Sequence, residues 1–177
     1  MRWPIAFVLL ILSCVTHADG PIYGELNLGA GGVAHSDLEF TPVFGSISAG
    51  AYVYENIGVE LFLDSGIRAG EDSEFTLDIE QAYGLGLRLQ SPPIDGVRGY
   101  VVLGVVNYTV EQKLDISSSS ARAPVDGDFT GFRASIGLMQ RLKRFPAVQF
   151  TAEYRHYNAD EPIRLDAIVL GFRFNAP

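Results

Sequence analysis

Apolar and polar residues alternate one for one over most of this chain. In residues 75–89, Leu77, Ile79, Tyr83, Leu85, Leu87 and Leu89 share one parity, while Asp78, Glu80, Ala82, Gly84, Gly86 and Arg88 share the other. Successive side chains of a strand point to opposite faces, so the pattern predicts a strand with one apolar and one polar face. Residues 131–157 hold two such runs around Lys143-Arg144-Phe145-Pro146. In the first run, Phe132, Ala134, Ile136, Leu138 and Leu142 oppose Arg133, Ser135, Gly137 and Arg141. In the second, Val148, Phe150, Ala152 and Tyr154 oppose Gln149, Thr151, Glu153 and Arg155. Two alternating runs around a short turn predict a hairpin.

The same reading places further strands at 22–31, 44–54, 57–67, 97–113 and 163–174, eight in all. Strand 97–113 is apolar on both parities, with Tyr100, Val102 and Val106 against Val101, Leu103 and Val105. Either a bulge or an apolar patch on the polar face accounts for it. Connections alternate between short (55–56, 90–96, 143–146) and long (32–43, 68–75, 114–127, 158–162). Glu55-Asn56 reads as a tight turn, and the prolines of Ser91-Pro92-Pro93-Ile94-Asp95-Gly96 cannot donate to a ladder.

An even strand count, up-and-down order and alternating loop lengths predict an all-β fold, an eight-stranded antiparallel transmembrane β-barrel. Each run is long enough to cross a bilayer when tilted, and closure satisfies every backbone group in lipid. The apolar face then points outward and the polar face lines the lumen. Short turns and both termini are expected on the periplasmic side, and the long loops outside. A soluble barrel would reverse the faces, and its core would need more room than eight strands enclose.

The first 18 residues alter this picture only at the N-terminus. Arg2, the apolar run 5–15 and Thr16-His17-Ala18 read as a secretory signal, so the barrel is expected to occupy residues 19–177. Cys14, the sole cysteine, lies in that run; Ile11-Leu12-Ser13-Cys14 is also a loose lipoprotein box, an alternative that would lipidate Cys14. Otherwise the mature chain has no thiol, hence no disulfide and no thiolate metal site. Loss of Arg2 moves the formal charge from −8 to −9, which argues against a nucleic-acid partner. Nineteen glycines, eight tyrosines and eleven phenylalanines suit a twisted all-β chain with aromatic belts.

The inward parity collects Glu25, Glu60, Asp64, Asp78, Glu80, Arg88, Arg133, Arg141, Glu153, Arg155 and Arg173. Eight strands enclose just enough space for side chains, and unpaired charges there are costly. Acids and arginines should therefore pair into a structural plug, with a narrow gated pore as the alternative.

Glu55-Asn56-Ile57-Gly58-Val59-Glu60, Gly99-Tyr100-Val101-Val102-Leu103-Gly104, Ala152-Glu153-Tyr154-Arg155 and Leu170-Gly171-Phe172-Arg173-Phe174 resemble segments of the small eight-stranded outer-membrane β-barrels, the OmpA- and OmpX-like group. The likeness spans essentially the whole mature chain. It implies an outer-membrane location in a Gram-negative envelope, with lipids, lipopolysaccharide and the barrel assembly machinery as partners. Members of that group usually end on an aromatic residue; here Asn175-Ala176-Pro177 follow Phe174. The run His156-Tyr157-Asn158-Ala159 also resembles part of the His-x-Ser-Asn motif of the lipid A deacylase PagL family. The serine is missing, and a base without a nucleophile makes no hydrolase. His156 is read instead as an interfacial residue beside Tyr154 and Tyr157.

Other candidate chemistry is weaker. His35-Ser36-Asp37 are adjacent in a loop, which does not suit a triad. Gly29-Ala30-Gly31-Gly32-Val33-Ala34 mimics a dinucleotide loop but precedes no helix. Its glycines are read as relieving crowding in the lumen. Asp37, Glu39, Glu71, Asp72, Glu74, Asp126, Asp160 and Glu161 are acidic loop residues without ordered metal-ligand spacing. The expectation is therefore a non-enzymatic protein with no catalytic residues, cofactor or metal. Its role would be structural or adhesive, with loops open to an extracellular ligand. A narrow channel and a degenerate deacylase are the alternatives.

Overall fold

The computed structural model describes residues 22–35, 38–72, 75–114, 126–159 and 164–176. They form ten strands: β1 (Ile22–His35), β2 (Leu38–Phe40), β3 (Val43–Tyr54), β4 (Ile57–Arg68), β5 (Gly70–Asp72), β6 (Phe75–Gln90), β7 (Val97–Leu114), β8 (Asp126–Leu142), β9 (Phe145–Ala159) and β10 (Arg164–Asn175). Eight of them run in the order β1-β3-β4-β6-β7-β8-β9-β10, and β10 pairs back onto β1, closing an antiparallel barrel. Short β2 and β5 pair with β1 and β6 at the long-connection end. The strands therefore run farther than the alternation indicated. Most of 32–41 and part of 68–74, read above as connections, belong to the ladder, because polar and glycine-rich residues pair there without an apolar signal. The signal segment 1–18, His35-Ser36-Asp37 as a unit and the side chains of all the acidic loop residues lie outside what is described.

Alternation sets the faces as expected, but relative to a soluble protein they are inverted. Large apolar side chains point away from the lumen on every barrel strand, among them Leu28, Ile47, Leu61, Leu85, Leu103, Ile136, Tyr154 and Leu170. Ile136 is 62% exposed and Leu28 56%, while Arg88, Arg133 and Arg155 are 0% exposed. So continuous an apolar surface suits hydrocarbon rather than water. β7 settles its ambiguity as an apolar lumen patch: Val102 and Val106 are buried, and Val101, Leu103 and Val105 face out with no break in the β7–β8 register. The register shift in this region lies on β6, between Ile79 and Gln81.

The inward glycines have a packing role. Gly50, Gly58, Gly84, Gly29 and Gly137 pair directly across the ladder with Tyr23, Tyr52, Phe62, Phe44 and Tyr100. A Cβ at Gly50 would lie 2.4 Å from the Tyr23 ring, and one at Gly137 2.5 Å from the Tyr100 ring. Each missing side chain lets a large ring lie across the lumen. The turn Ile94-Asp95-Gly96-Val97 has φ of 51° at Asp95 and 82° at Gly96, which glycine accepts at no steric cost. Reciprocal backbone bonds of 2.9 Å between Ile94 and Val97 close this Asp-Gly hairpin turn.

Candidate functional site: the charged lumen

The barrel interior holds one continuous chain of ion pairs that alternates in sign. Arg173 Nε meets Glu25 Oε1 at 2.8 Å, and the same oxygen meets Arg88 Nη2 at 2.9 Å. Arg88 Nε reaches Glu60 Oε2 at 2.8 Å, and Glu60 Oε1 faces Arg133 Nη2 at 3.7 Å. Arg133 Nη2 binds Glu153 Oε1 at 3.1 Å, Glu153 binds Arg155, and Arg155 Nη1 reaches Asp64 Oδ1 at 3.2 Å. Four guanidiniums and four carboxylates, all buried, leave the chain with no net charge. This balance answers the desolvation problem, since a buried charge is tolerable only when paired and hydrogen-bonded.

Tyrosines complete the network, and these the sequence reading missed. Tyr23, Tyr100 and Tyr157 donate to Glu60, Glu153 and Asp64 at 2.9, 2.8 and 2.6 Å. Tyr52 accepts from Arg173 and donates to Gln90 Oε1 at 2.6 Å. Arginine Cζ atoms also lie over ring centroids: Arg173 over Tyr23 at 3.7 Å, Arg88 over Tyr100 at 4.2 Å and Arg133 over Phe62 at 4.2 Å. The available signal was parity, because Tyr23, Tyr52, Tyr100 and Tyr157 all share the inward register with the charges. Nearer the long-connection end the lumen turns apolar, with Phe44, Ala167 and Val169 packed together against Leu165.

Eight of the eleven candidate lumen charges meet in this chain: Glu25, Glu60, Asp64, Arg88, Arg133, Glu153, Arg155 and Arg173. Arg141 does not. It lies beyond the network at the short-turn mouth, exposed, because it is eight residues along β8 toward the turn from Arg133, the member of the network on that strand. Asp78 and Glu80 were placed inward by uninterrupted parity, and the register shift between Ile79 and Gln81 removes that basis. Their side chains lie outside those described.

His156 occupies the outward parity of β9. Its Nδ1 lies 2.7 Å from Asp166 Oδ1, which also accepts the Tyr154 hydroxyl at 2.6 Å, and Phe132 packs edge-on at 6.2 Å. Its neighbours are therefore Tyr154 and Phe132; Tyr157 faces the lumen on the opposite parity. The residue two positions on, where the deacylase motif has serine, is Asn158.

Comparison with known proteins agrees with this architecture. The sequence profile of the outer membrane protein β-barrel domain matches residues 5–175. No curated protein matches the chain in sequence. Among solved structures, Ail, the attachment invasion locus protein of Yersinia pestis in complex with the heparin analogue sucrose octasulfate, superposes with a TM-score of 0.62 at 16% identity, covering 89% of this chain and 99% of that one. Neisserial surface protein A gives 0.63 at 15% identity over 86% and 96%. OprG from Pseudomonas aeruginosa gives 0.59 at 11% identity over 90% and 97%. Identities this low speak for the shared fold.

Proposed function

Because this chain belongs to the outer membrane protein β-barrel family, we propose that it is a non-enzymatic, non-conducting anchor that holds variable loops on the cell surface. It resides in the outer membrane, and its surface or channel-like role accords with the family. The observation that carries the finer reading is the neutral alternating chain of four arginines and four acids across the lumen. A side-chain-filled interior gives a solute no path. The short turns at 55–56, 91–96 and 143–144 then face the periplasm with both termini. The long connections face outside, where a structural or adhesive partner would be met. That the fold neighbour Ail was solved with a heparin analogue supports looking for an extracellular ligand at these loops.

One observation favours the narrow channel. Arg88 Nη1, Arg133 Nε and Nη1, Ser48 Oγ and Ser135 Oγ are buried without a hydrogen-bond partner among the described residues, and such groups call for water. Planar bilayer recordings separate the two readings. The expected result is no discrete conductance from the purified, folded protein; reproducible single-channel steps would establish the pore and sink the plug.

Residues 1–18 are proposed as a signal removed after Ala18. Intact mass of the protein from isolated outer membranes should match a chain beginning at Asp19. A mass beginning at Cys14 with added acyl groups would make it a lipoprotein.

A further inference from the structure

We propose that the short-turn mouth of the barrel is a binding site for a peptide C-terminal carboxylate. A cavity of about 270 Å³ opens there, lined by Pro93, Gly96, Arg98, Met139, Arg141 and Gln149. Three adjoining strands and one turn build it. Arg98 pairs with Met139 across β7 and β8, and Arg141 pairs with Gln149 across β8 and β9, so all four belong to one patch of the inward register. Gly96 O accepts the Arg141 amide at 3.2 Å, which ties that arginine to the turn carrying Pro93. The β8–β9 register breaks between Arg141 and Leu142, beside the site.

The charge at this mouth is not explained by the rest of the barrel. The lumen balances four acids with four arginines and draws on neither Arg98 nor Arg141. No acidic partner accompanies either guanidinium among the described residues. Two diagonal cross-strand arginines repel one another, and in a chain of formal charge −8 they lie beside Lys143 and Arg144 of the next turn in a local cluster of cations. Gln149 supplies an independent sign of a ligand. It is 8% exposed, lines the cavity, and its Oε1 has no hydrogen-bond partner among the described residues.

The donor set selects the ligand class. Two guanidinium forks suit a planar carboxylate, whereas an unpartnered Oε1 asks for a donor. A peptide C-terminus offers both, as its carboxylate adjoins an amide N–H. Met139, 2% exposed, and Pro93 give apolar contact to a small terminal side chain. This site is independent of the surface role proposed above, since it opens at the opposite end of the barrel.

Folded protein in detergent micelles should be titrated with N-acetyl-alanyl-alanine, its C-terminal amide and inorganic phosphate, following backbone amide NMR shifts. The expected result is saturable binding of the free acid with shifts at residues 96–98, 139–141 and 149. The amide should bind about tenfold or more weakly, as should the free acid to Arg98→Gln and Arg141→Gln. Retention of a heat-modifiable band shows that each variant is folded; should Arg141→Gln fail to fold, Arg98→Gln alone decides. Equal binding of acid and amide overturns the proposal, as does absence of saturable binding or unchanged affinity in the folded variants. Phosphate binding as tight as the acid would reduce the site to a general oxyanion site and overturn the peptide assignment.

Discussion

Replacing Glu60 by leucine will destabilise the folded barrel by about 3–5 kcal/mol, the cost of breaking a buried charge network from one side. Glu60 is the central acid of the lumen. It accepts Tyr23 Oη at 2.9 Å and Arg88 Nε at 2.8 Å, and it faces Arg133 at 3.7 Å. Leucine fills similar space but leaves a net positive lumen and a buried tyrosine hydroxyl without its acceptor. Urea titration in lipid vesicles, read by the fraction of heat-modifiable band, measures the loss. Adding Arg88→Met should recover part of it, because the second change removes a cation the first left uncompensated; coupling of about 0.5–3 kcal/mol is the usual range for contacting residues. An unchanged urea midpoint for the single variant would mean that the chain of ion pairs contributes nothing to stability.

Arginine on the opposite face will cost nearly as much for another reason. Leu85 and Ile136 lie on the outward parity, 47% and 62% exposed. Leu85→Arg and Ile136→Arg should each cost about 2–4 kcal/mol near the bilayer midplane, falling to about 0–1 at the interface. Gln140, on the same face of β8 and one residue from Arg141 near the short turn, is the interfacial control. Folding yield into vesicles and outer-membrane fractionation report the effect. Normal insertion of both midplane variants would contradict the outward orientation, and equal losses at positions 136 and 140 would contradict the depth assignment.

The parts of the barrel legible in the sequence are those governed by a local rule. Period-two alternation is a property of the extended backbone, so it assigned Leu85 and Ile136 outward and Glu60, Arg133 and Arg173 inward without any knowledge of neighbours. It failed where the backbone breaks period. The register shift at Ile79–Gln81 removed the basis for placing Asp78 and Glu80. The polar, glycine-rich ends of β1 and β4 paired without an apolar stripe to announce it. It also could not separate a bulge from an apolar lumen patch in β7, because each gives apolar residues on both parities.

The sequence by itself determined the eight strands that close the barrel, the two faces, and the fact that acids and arginines share one of them. Only the closed tertiary structure decided which charge meets which. Glu25 and Arg173 are 148 residues apart and adjacent because β10 closes on β1. Arg155 reaches Ser46 and Asp64 across the lumen, 109 and 91 residues away. Those meetings depend on strand stagger, a collective property of closure that no local pattern encodes. The same stagger sets the height of each inward residue. It places four arginines level with four acids and leaves Arg98 and Arg141 at the mouth without an acidic partner among the described residues.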